Sequence, residues 1–294
     1  MIMKILDGKK LSQEIKAELK TEVLELKEKG IIPGLAVVIV GENSASKIYV
    51  KNKKRACEEI GINSQVFELR EKISQDELLE VIGKLNADEK VHGILVQLPL
   101  PAHIDKERII LAIDPKKDVD CFHPENIGKV FLGQEIFPPC TPAGILEILK
   151  RSEIEIVGKD VVIVGRSNIV GKPLALMMIN EGATVTVCHS ETKNLQEKCL
   201  GADILISAAG KAGLITKDMI KQGAVVVDVG MNRDSVGKLT GDVDFPEVSQ
   251  ISSAITPVPG GVGPMTIAML LKNTIKSAKI HNLRKYESSE STNS

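Results

Sequence analysis

The segment VVIVGRSNIVGKPL, at residues 161–174, is the part of the sequence that most constrains the fold. Its first four residues are aliphatic without alternation, which indicates a strand buried on both faces of a parallel sheet. A glycine, a polar turn, a second glycine and an apolar run follow, and this order predicts a strand that turns into a helix with backbone N–H groups available to a phosphate. The spacing of Gly165 and Gly171 differs from the G-x-G-x-x-G fingerprint. Taken alone, this turn therefore fits either a dinucleotide site or a plain connection.

Other buried strands alternate with amphipathic helices along the chain. Residues 35–40 and 93–98 are apolar runs of strand length, and Ser74 with Glu77 forms a capping-box signature for a helix between them. Four more short strands are predicted near Val161, Thr184, Asp203 and Ala224. This alternation predicts the α/β class with parallel sheets. Prolines and polar residues interrupt the pattern over residues 114–141, which indicates a domain boundary.

Length, charge and cysteine usage exclude several classes of protein. The 294 residues suffice for roughly two domains, and the net charge of −1 gives no general basic surface for nucleic acid. The aliphatic runs are shorter than the ~20 residues that a membrane helix needs, and the N-terminus lacks the apolar region of a signal peptide, so we expect a cytoplasmic protein without a membrane partner. The five cysteines include no C-x-x-C pair and the five histidines form no ligand motif, so neither a disulfide framework nor a metal site is indicated.

Tyr49 and Lys53 are four residues apart on a predicted helix, so their side chains project from one face, close to Ser46. An aromatic ring beside an ammonium group is suited to holding a flat heterocycle and moving a proton. The alternative is a solvated face, because several other lysines lie nearby.

Two further polar positions follow a predicted strand and its linker. Gln97 lies at the carboxyl end of a parallel strand, where α/β proteins place ligand-binding groups, although it can also satisfy the turn before Pro99. Asp118 and Asp120 lie in the irregular linker. An aspartate there can accept two hydrogen bonds from an aminopyrimidine edge, or it can form the local turn.

The second half of the chain favours NADP over NAD. About 20 residues past the glycine turn, where an NAD site has an acidic residue, His189 and Ser190 can instead donate to a 2′-phosphate, and Arg166 adds positive charge. Glu191 would repel that phosphate. The glycines between Pro259 and Pro264 free backbone N–H groups for close approach to a ligand, or they form a tight turn.

These stretches together resemble the bifunctional methylenetetrahydrofolate dehydrogenase and methenyltetrahydrofolate cyclohydrolase family. The shared motifs are S-x-x-Y-x-x-x-K, GILVQLPLP, DVD, PCTP, GRSNIVGKP, CHS, DVGMN and ITPVPGGVGPMT, in that order. The resemblance implies two parallel-sheet domains flanking a cleft. Residues 1–140 with 267–294 would form the folate-binding catalytic domain, and residues 141–266 a Rossmann-type NADP-binding domain. It also implies one shared active site for the oxidation and the hydrolysis, tetrahydrofolate one-carbon derivatives as substrates, and a homodimer formed mainly through the nucleotide-binding domains.

The resemblance also implies residue roles. Lys53 would be the catalytic lysine, Tyr49 the ring partner of the folate, Gln97 the side chain that positions Lys53, and Asp120 the holder of the pterin edge. The rest of the folate site would be lined by Val96, Leu98, Pro259, Gly260, Gly261, Val262 and Gly263. NADP would contact Gly165, Arg166, Ser167, Ser190 and Met231.

Two positions depart from the family pattern. Cys121 follows DVD where glycine is common, and Glu191 stands where a basic residue is frequent. The first concerns the pterin pocket and the second the choice of cofactor. Two alternatives stay open: a monofunctional NAD-dependent dehydrogenase of the same fold, and a nucleotide-sensing protein without turnover.

Overall fold

The structure is a computed structural model that describes residues 3–234 and 237–291. Its helices are α1 Gly8–Glu28, α2 Ser44–Ile60, α3 Gln75–Ala87, α4 Lys106–Ala112, α5 Pro124–Phe131, α6 Cys140–Arg151, α7 Gly171–Asn180, α8 Leu195–Leu200, α9 Phe245–Val248 and α10 Val262–Ser291. Its strands are β1 Lys4–Ile5, β2 Gly34–Val40, β3 Asn63–Leu69, β4 Gly93–Val96, β5 Asp160–Val164, β6 Thr184–Cys188, β7 Ile204–Ser207, β8 Val225–Asp228, β9 Asn232–Arg233, β10 Leu239–Thr240 and β11 Ala254–Ile255. Within these described residues, no helix combines the length and apolar character needed to cross a bilayer.

The larger sheet has six parallel strands in the order β1-β11-β8-β7-β5-β6. The four strands predicted in the second half of the chain are confirmed as β5 to β8. Because β5 has β6 on one side and β7 on the other, the connections that leave β5 and β7 run to opposite sides of the sheet. Such a switch point opens a crevice at the carboxyl edge, and Gly165 follows β5 there.

The smaller sheet has the order β3-β2-β4, and its strands are also parallel. All seven residues of the central strand β2 are buried, as its unbroken aliphatic run predicted. The strand β4 ends at Val96, so the side chain of Gln97 is the first one beyond the sheet. These two sheets confirm the α/β class with parallel sheets.

The chain divides into two compact units. One unit consists of Met1–Gln13, Val130–Gln134 and Pro139–Thr266, and the other of Glu14–Lys129, Glu135–Pro138 and Ile267–Ser294. The strand β1 groups with the larger sheet because it pairs with β11, which follows it by some 250 residues.

Local structure differs from the sequence expectation in two places. The linker at residues 114–141 contains the helix α5, in which Pro124 occupies the first turn, where a missing N–H costs nothing. The sequence predicts a last helix that Pro264 starts, from Met265 to about Lys279, and a polar, disordered tail from Tyr286. The helix α10 instead runs from Val262 to Ser291, because no glycine or proline interrupts it after Pro264. Residues 292–294 of the tail lie outside the described part of the chain.

All five cysteines are buried thiols, as the sequence suggested. Burial raises the pKa of Cys57 and of Cys199 to about 12.

Candidate active site

Lys53 and Gln97 meet at the carboxyl end of the smaller sheet. The helix α2 starts at a side-chain cap, in which Asn43 Oδ1 accepts from the Ser46 N–H at 3.0 Å. Lys53 lies about two and a half turns into this helix, and only 9% of it is exposed. Its Nζ donates to Gln97 Oε1 at 3.1 Å. The amide Nε2 of Gln97 donates to the Leu98 carbonyl at 2.8 Å, and this contact fixes which way the amide faces.

Asp118 and Asp120 have different surroundings. Asp118 is 2% exposed and accepts hydrogen bonds from the backbone N–H groups of Phe122 and His123 and from Asn126 Nδ2. Asp118 therefore forms the local turn. Asp120 is half-buried and lines a narrow pocket beside β4, together with Val96 and Leu98.

A buried lysine holds the segment that carries these aspartates. Lys117 is 6% exposed, and its Nζ donates to the carbonyls of Leu85, Asn86 and Asp88 at 3.0, 2.7 and 2.8 Å. These carbonyls lie at the C-terminal end of α3, where a positive charge is favourable. Burial lowers the pKa of Lys117, although nearby carboxylates oppose that change.

Cys121, the first departure from the family pattern, has a backbone φ of +60° and is fully buried. This left-handed conformation costs a non-glycine residue about 1–2 kcal/mol. A glycine avoids this cost, which explains why glycine suits the position. In this chain a cysteine adopts the left-handed conformation instead.

The glycine turn after β5, from Gly165 to Gly171, packs closely against neighbouring backbone at both of its glycines. Gly165 has a φ of +135°, and a Cβ on it would lie 2.3 Å from the Ala208 carbonyl oxygen. A Cβ on Gly171 would lie 2.0 Å from the Gly165 carbonyl oxygen. The Ser167 hydroxyl accepts from the Val170 N–H at 3.2 Å. A larger residue at Gly171 would force α7 away from the turn, and one at Gly165 would clash with the backbone of Ala208. The turn therefore requires glycine at both positions.

Residues suited to a 2′-phosphate lie at the same edge of the larger sheet. The strands β5 and β6 are neighbours in parallel register, so Arg166 and Ser190 leave the sheet on the same side. Both side chains are exposed, as is Met231 beyond β8. The Arg166 Nη2 is 2.8 Å from Glu191 Oε1, so the predicted phosphate ligand is paired with a carboxylate.

The segment Pro259 to Gly263 is fastened to the start of α1. The Lys9 N–H donates to the Gly260 carbonyl at 2.7 Å, and a Cβ on Gly8 would lie 1.9 Å from the Gly261 carbonyl oxygen. Gly260 has a φ of +108°, which only glycine adopts readily. The sequence analysis did not identify Gly8 as a positioning residue, and the available signal was a glycine at the start of an amphipathic helix.

A second positioning residue that the sequence reasoning missed is Asp242. It is fully buried, and its carboxylate accepts five hydrogen bonds. The donors are Ser207 Oγ, the N–H groups of Ala209, Gly210 and Lys211, and Asn232 Nδ2. These contacts connect the loops after β7 and β8, which lie at the carboxyl edge of the larger sheet, as does the glycine turn after β5. Burial raises the pKa of the neighbouring Asp228 to about 6, although three backbone N–H groups oppose the change.

Comparisons with known proteins identify the family of this chain. The model of the tetrahydrofolate dehydrogenase/cyclohydrolase catalytic domain matches residues 6–120, and that of the NAD(P)-binding domain matches residues 139–282. The bifunctional protein FolD of Acetivibrio thermocellus is 59% identical over 280 residues, which cover 95% of this chain and 98% of that protein.

Two solved structures are also similar. The bifunctional FolD enzyme of Campylobacter jejuni, a methylenetetrahydrofolate dehydrogenase/cyclohydrolase, superposes with a TM-score of 0.93 at 59% identity, covering 94% of this chain and 99% of that one. The Trypanosoma brucei enzyme, complexed with NADP cofactor and inhibitor, superposes with a TM-score of 0.91 at 41% identity, covering 94% and 97%. This chain therefore belongs to the tetrahydrofolate dehydrogenase/cyclohydrolase family.

Proposed function

We propose that this chain oxidises 5,10-methylenetetrahydrofolate to the 5,10-methenyl compound with NADP⁺ and hydrolyses that product to 10-formyltetrahydrofolate. The observation that carries the proposal is the hydrogen bond from the buried Lys53 Nζ to Gln97 Oε1. Family membership supports both activities, because the relatives at 55–60% identity bear a bifunctional name. It also makes the monofunctional NAD-dependent alternative less well supported.

Lys53 is the proposed proton carrier of the hydrolysis. In this reaction the oxygen of a water molecule bonds to the methenyl carbon. One of its two protons goes to the ring nitrogen whose bond to that carbon breaks, and the other is released to solvent. A group that accepts and returns a proton at one place serves both needs. Gln97 holds the Lys53 Nζ in position, and the Leu98 carbonyl in turn holds the Gln97 amide. The oxidation, by contrast, forms the methenyl cation with the lone pair of a neighbouring nitrogen and needs no general base.

The folate itself is proposed to bind at the residues around this pair. Tyr49 lies one helical turn before Lys53 and offers a ring face to the folate. Asp120 accepts from the pterin edge, and Val96 and Leu98 contribute contacts around the end of β4. The segment Pro259 to Gly263 contributes backbone groups. We propose residues 1–140 and 267–294 as the folate-binding catalytic domain, to which the last helix of the chain returns. Residues 141–266 are proposed as the NADP-binding domain.

NADP is proposed to bind at the edge of the larger sheet. Gly165 and Ser167 bring the backbone close to the pyrophosphate, Arg166 and Ser190 contact the 2′-phosphate, and Met231 contacts the remainder of the cofactor. The close approaches at Gly165 and Gly171 support this proposal, because they require glycine at both ends of a turn that joins a strand to a helix, as the phosphate-binding turns of dinucleotide folds do. When bound, NADP takes up the electrons and hydrogen that the one-carbon unit loses.

Replacement of the lysine tests the proposal. We expect Lys53→Met to abolish the cyclohydrolase activity more completely than NADP reduction, because only the hydrolysis requires a proton carrier. Lys54→Met is the matched control, since it removes an exposed lysine from the adjacent position of α2. The assays are loss of methenyl absorbance and initial rates with NADP and with NAD. Equal residual rates for the two reactions of Lys53→Met would remove Lys53 from the proposed role.

We also propose a homodimer formed through the NADP-binding part and a cytoplasmic location. Two large apolar side chains of the proposed NADP-binding part, Val157 and Ile179, are exposed and support the dimer. Sedimentation velocity tests it, and a monomer at micromolar concentration would contradict it. The five buried thiols support a reducing compartment.

A further inference from the structure

Arg166 and Glu191 form an ion pair at the edge where the cofactor is proposed to bind. The distance from Arg166 Nη2 to Glu191 Oε1 is 2.8 Å, and the two side chains are 50% and 74% exposed. Arg166 follows the glycine turn after β5, and Glu191 belongs to the turn after the neighbouring strand β6. The pair therefore connects the carboxyl ends of the neighbouring strands β5 and β6.

The turn that carries Glu191 is well defined. The His189 N–H donates to Thr192 Oγ1 at 2.8 Å, and the Thr192 N–H donates back to the His189 carbonyl at 2.9 Å. The Glu191 N–H donates to His189 Nδ1 at 3.2 Å. The backbone of Glu191 is thus fixed relative to the end of β6, while its carboxylate faces Arg166.

Each member of the pair suits a different cofactor. Glu191 lies about 20 residues after Gly171, at the end of the second strand, which is where dinucleotide folds place the carboxylate that accepts from the ribose 2′-hydroxyl of NAD. An arginine close to that position accommodates the 2′-phosphate of NADP. This chain carries both groups and neutralises one with the other.

We propose that the Arg166–Glu191 pair admits NAD as a second cofactor beside NADP and sets the ratio between them. With NAD, Glu191 accepts from the 2′-hydroxyl. With NADP, Arg166 exchanges the carboxylate for the 2′-phosphate, and Glu191 is left beside a like charge. An exposed ion pair contributes at most about fivefold to an equilibrium, so its opening weakens NADP binding without preventing it. This inference rests on the proposed function, because it assumes that the cofactor binds at this edge.

Direct binding of the reduced cofactors tests the proposal without turnover. The chain contains no tryptophan, so nicotinamide fluorescence reports binding of NADPH and NADH on a low background. For the wild type we expect both to bind, with dissociation constants within about tenfold. For Glu191→Gln we expect NADPH to bind about three- to tenfold more tightly and NADH about threefold more weakly, since a neutral amide neither repels the phosphate nor accepts as strongly from the hydroxyl.

Two further variants separate a local effect from a general one. Glu181→Gln removes a carboxylate from another surface pair, with Lys150 at 2.6 Å, at the opposite end of α7. It should leave both constants unchanged. Arg166→Gln should weaken NADPH more than NADH.

The binding results test the role of the ion pair separately from the proposed function. The proposed role of the Arg166–Glu191 pair is overturned if the wild type binds NADPH but not millimolar NADH. It is also overturned if Glu191→Gln changes the dissociation constants of NADPH and NADH by the same factor. In both cases the proposed function stands. If the wild type binds neither cofactor, both are overturned.

Discussion

His92 makes the stability of the smaller-sheet unit depend on pH. The residue precedes β4, is 8% exposed, and accepts the Gly34 N–H on its Nδ1 at 3.0 Å. A protonated ring cannot accept this bond. Burial lowers the pKa of His92 from 6.5 to about 4, and the adjacent His281 and Lys117 add to the effect. The ring of His281 lies edge-on, 5.5 Å away.

The direction and size of the effect follow from linkage. Between pH 6.5 and about 4 the unfolded chain takes up a proton at this site and the folded chain does not. The contribution of His92 to stability is thus present above pH 6.5 and is lost as the pH falls towards 4. At 1.36 kcal/mol per pH unit, the full difference corresponds to about 3 kcal/mol of unfolding free energy.

The perturbation that isolates this contribution is His92→Asn, because an asparagine Oδ1 can accept from the Gly34 N–H without titrating. Urea unfolding followed by circular dichroism at pH 7 and pH 4.5 gives the free energies. We expect the wild type to lose about 2–3 kcal/mol more than His92→Asn over this interval. His103→Asn is the control, since it removes an exposed histidine from the same unit. The reasoning is refuted if the unfolding free energy of His92→Asn falls between pH 7 and pH 4.5 by as much as that of the wild type and of His103→Asn. It is also refuted if the ring-proton resonance of His92 titrates near pH 6.5.

Three other substitutions have defined outcomes. Lys117→Met should lower the unfolding free energy by about 2–3 kcal/mol, because three buried carbonyls lose a charged donor; an unchanged melting temperature would contradict this. Ser190→Ala should raise the Michaelis constant for NADP far more than that for folate, and an unchanged NADP constant would remove Ser190 from the phosphate site. Gly171→Ala should weaken NADPH binding about fivefold or more, because overpacking against the Gly165 carbonyl costs roughly 1–3 kcal/mol and displaces the turn; wild-type affinity in a fluorescence titration would show that the turn can adjust.

Local pattern was sufficient to predict much of the fold and part of the site. The unbroken aliphatic run of β5 and the glycine turn after it predicted a buried strand of a parallel sheet that turns into a helix, and β5 and α7 confirm both. The four-residue spacing of Tyr49 and Lys53 correctly placed them on one helix. Gln97 was expected at a strand end, and the structure places it immediately after β4.

The remaining features depend on contacts between distant parts of the chain. Asp118 and Asp120 look alike in sequence, and only the hydrogen bond from Asn126 Nδ2 and the two backbone donors identify Asp118 as the turn former. Pairing of β1 with β11 cannot be recognised from a strand of two residues. The five donors that converge on Asp242 are brought together by the sheet, so no spacing in the sequence announces them.

The buried thiols have a practical consequence for experiments on this protein. Maleimides and similar reagents react with the thiolate, and burial both shields the native sulfur atoms and, at Cys57 and Cys199, disfavours that form. The natural chain therefore already serves as a background for site-specific labelling. One cysteine introduced at an exposed position such as Glu80 should accept a fluorophore under native conditions while the native cysteines stay in place.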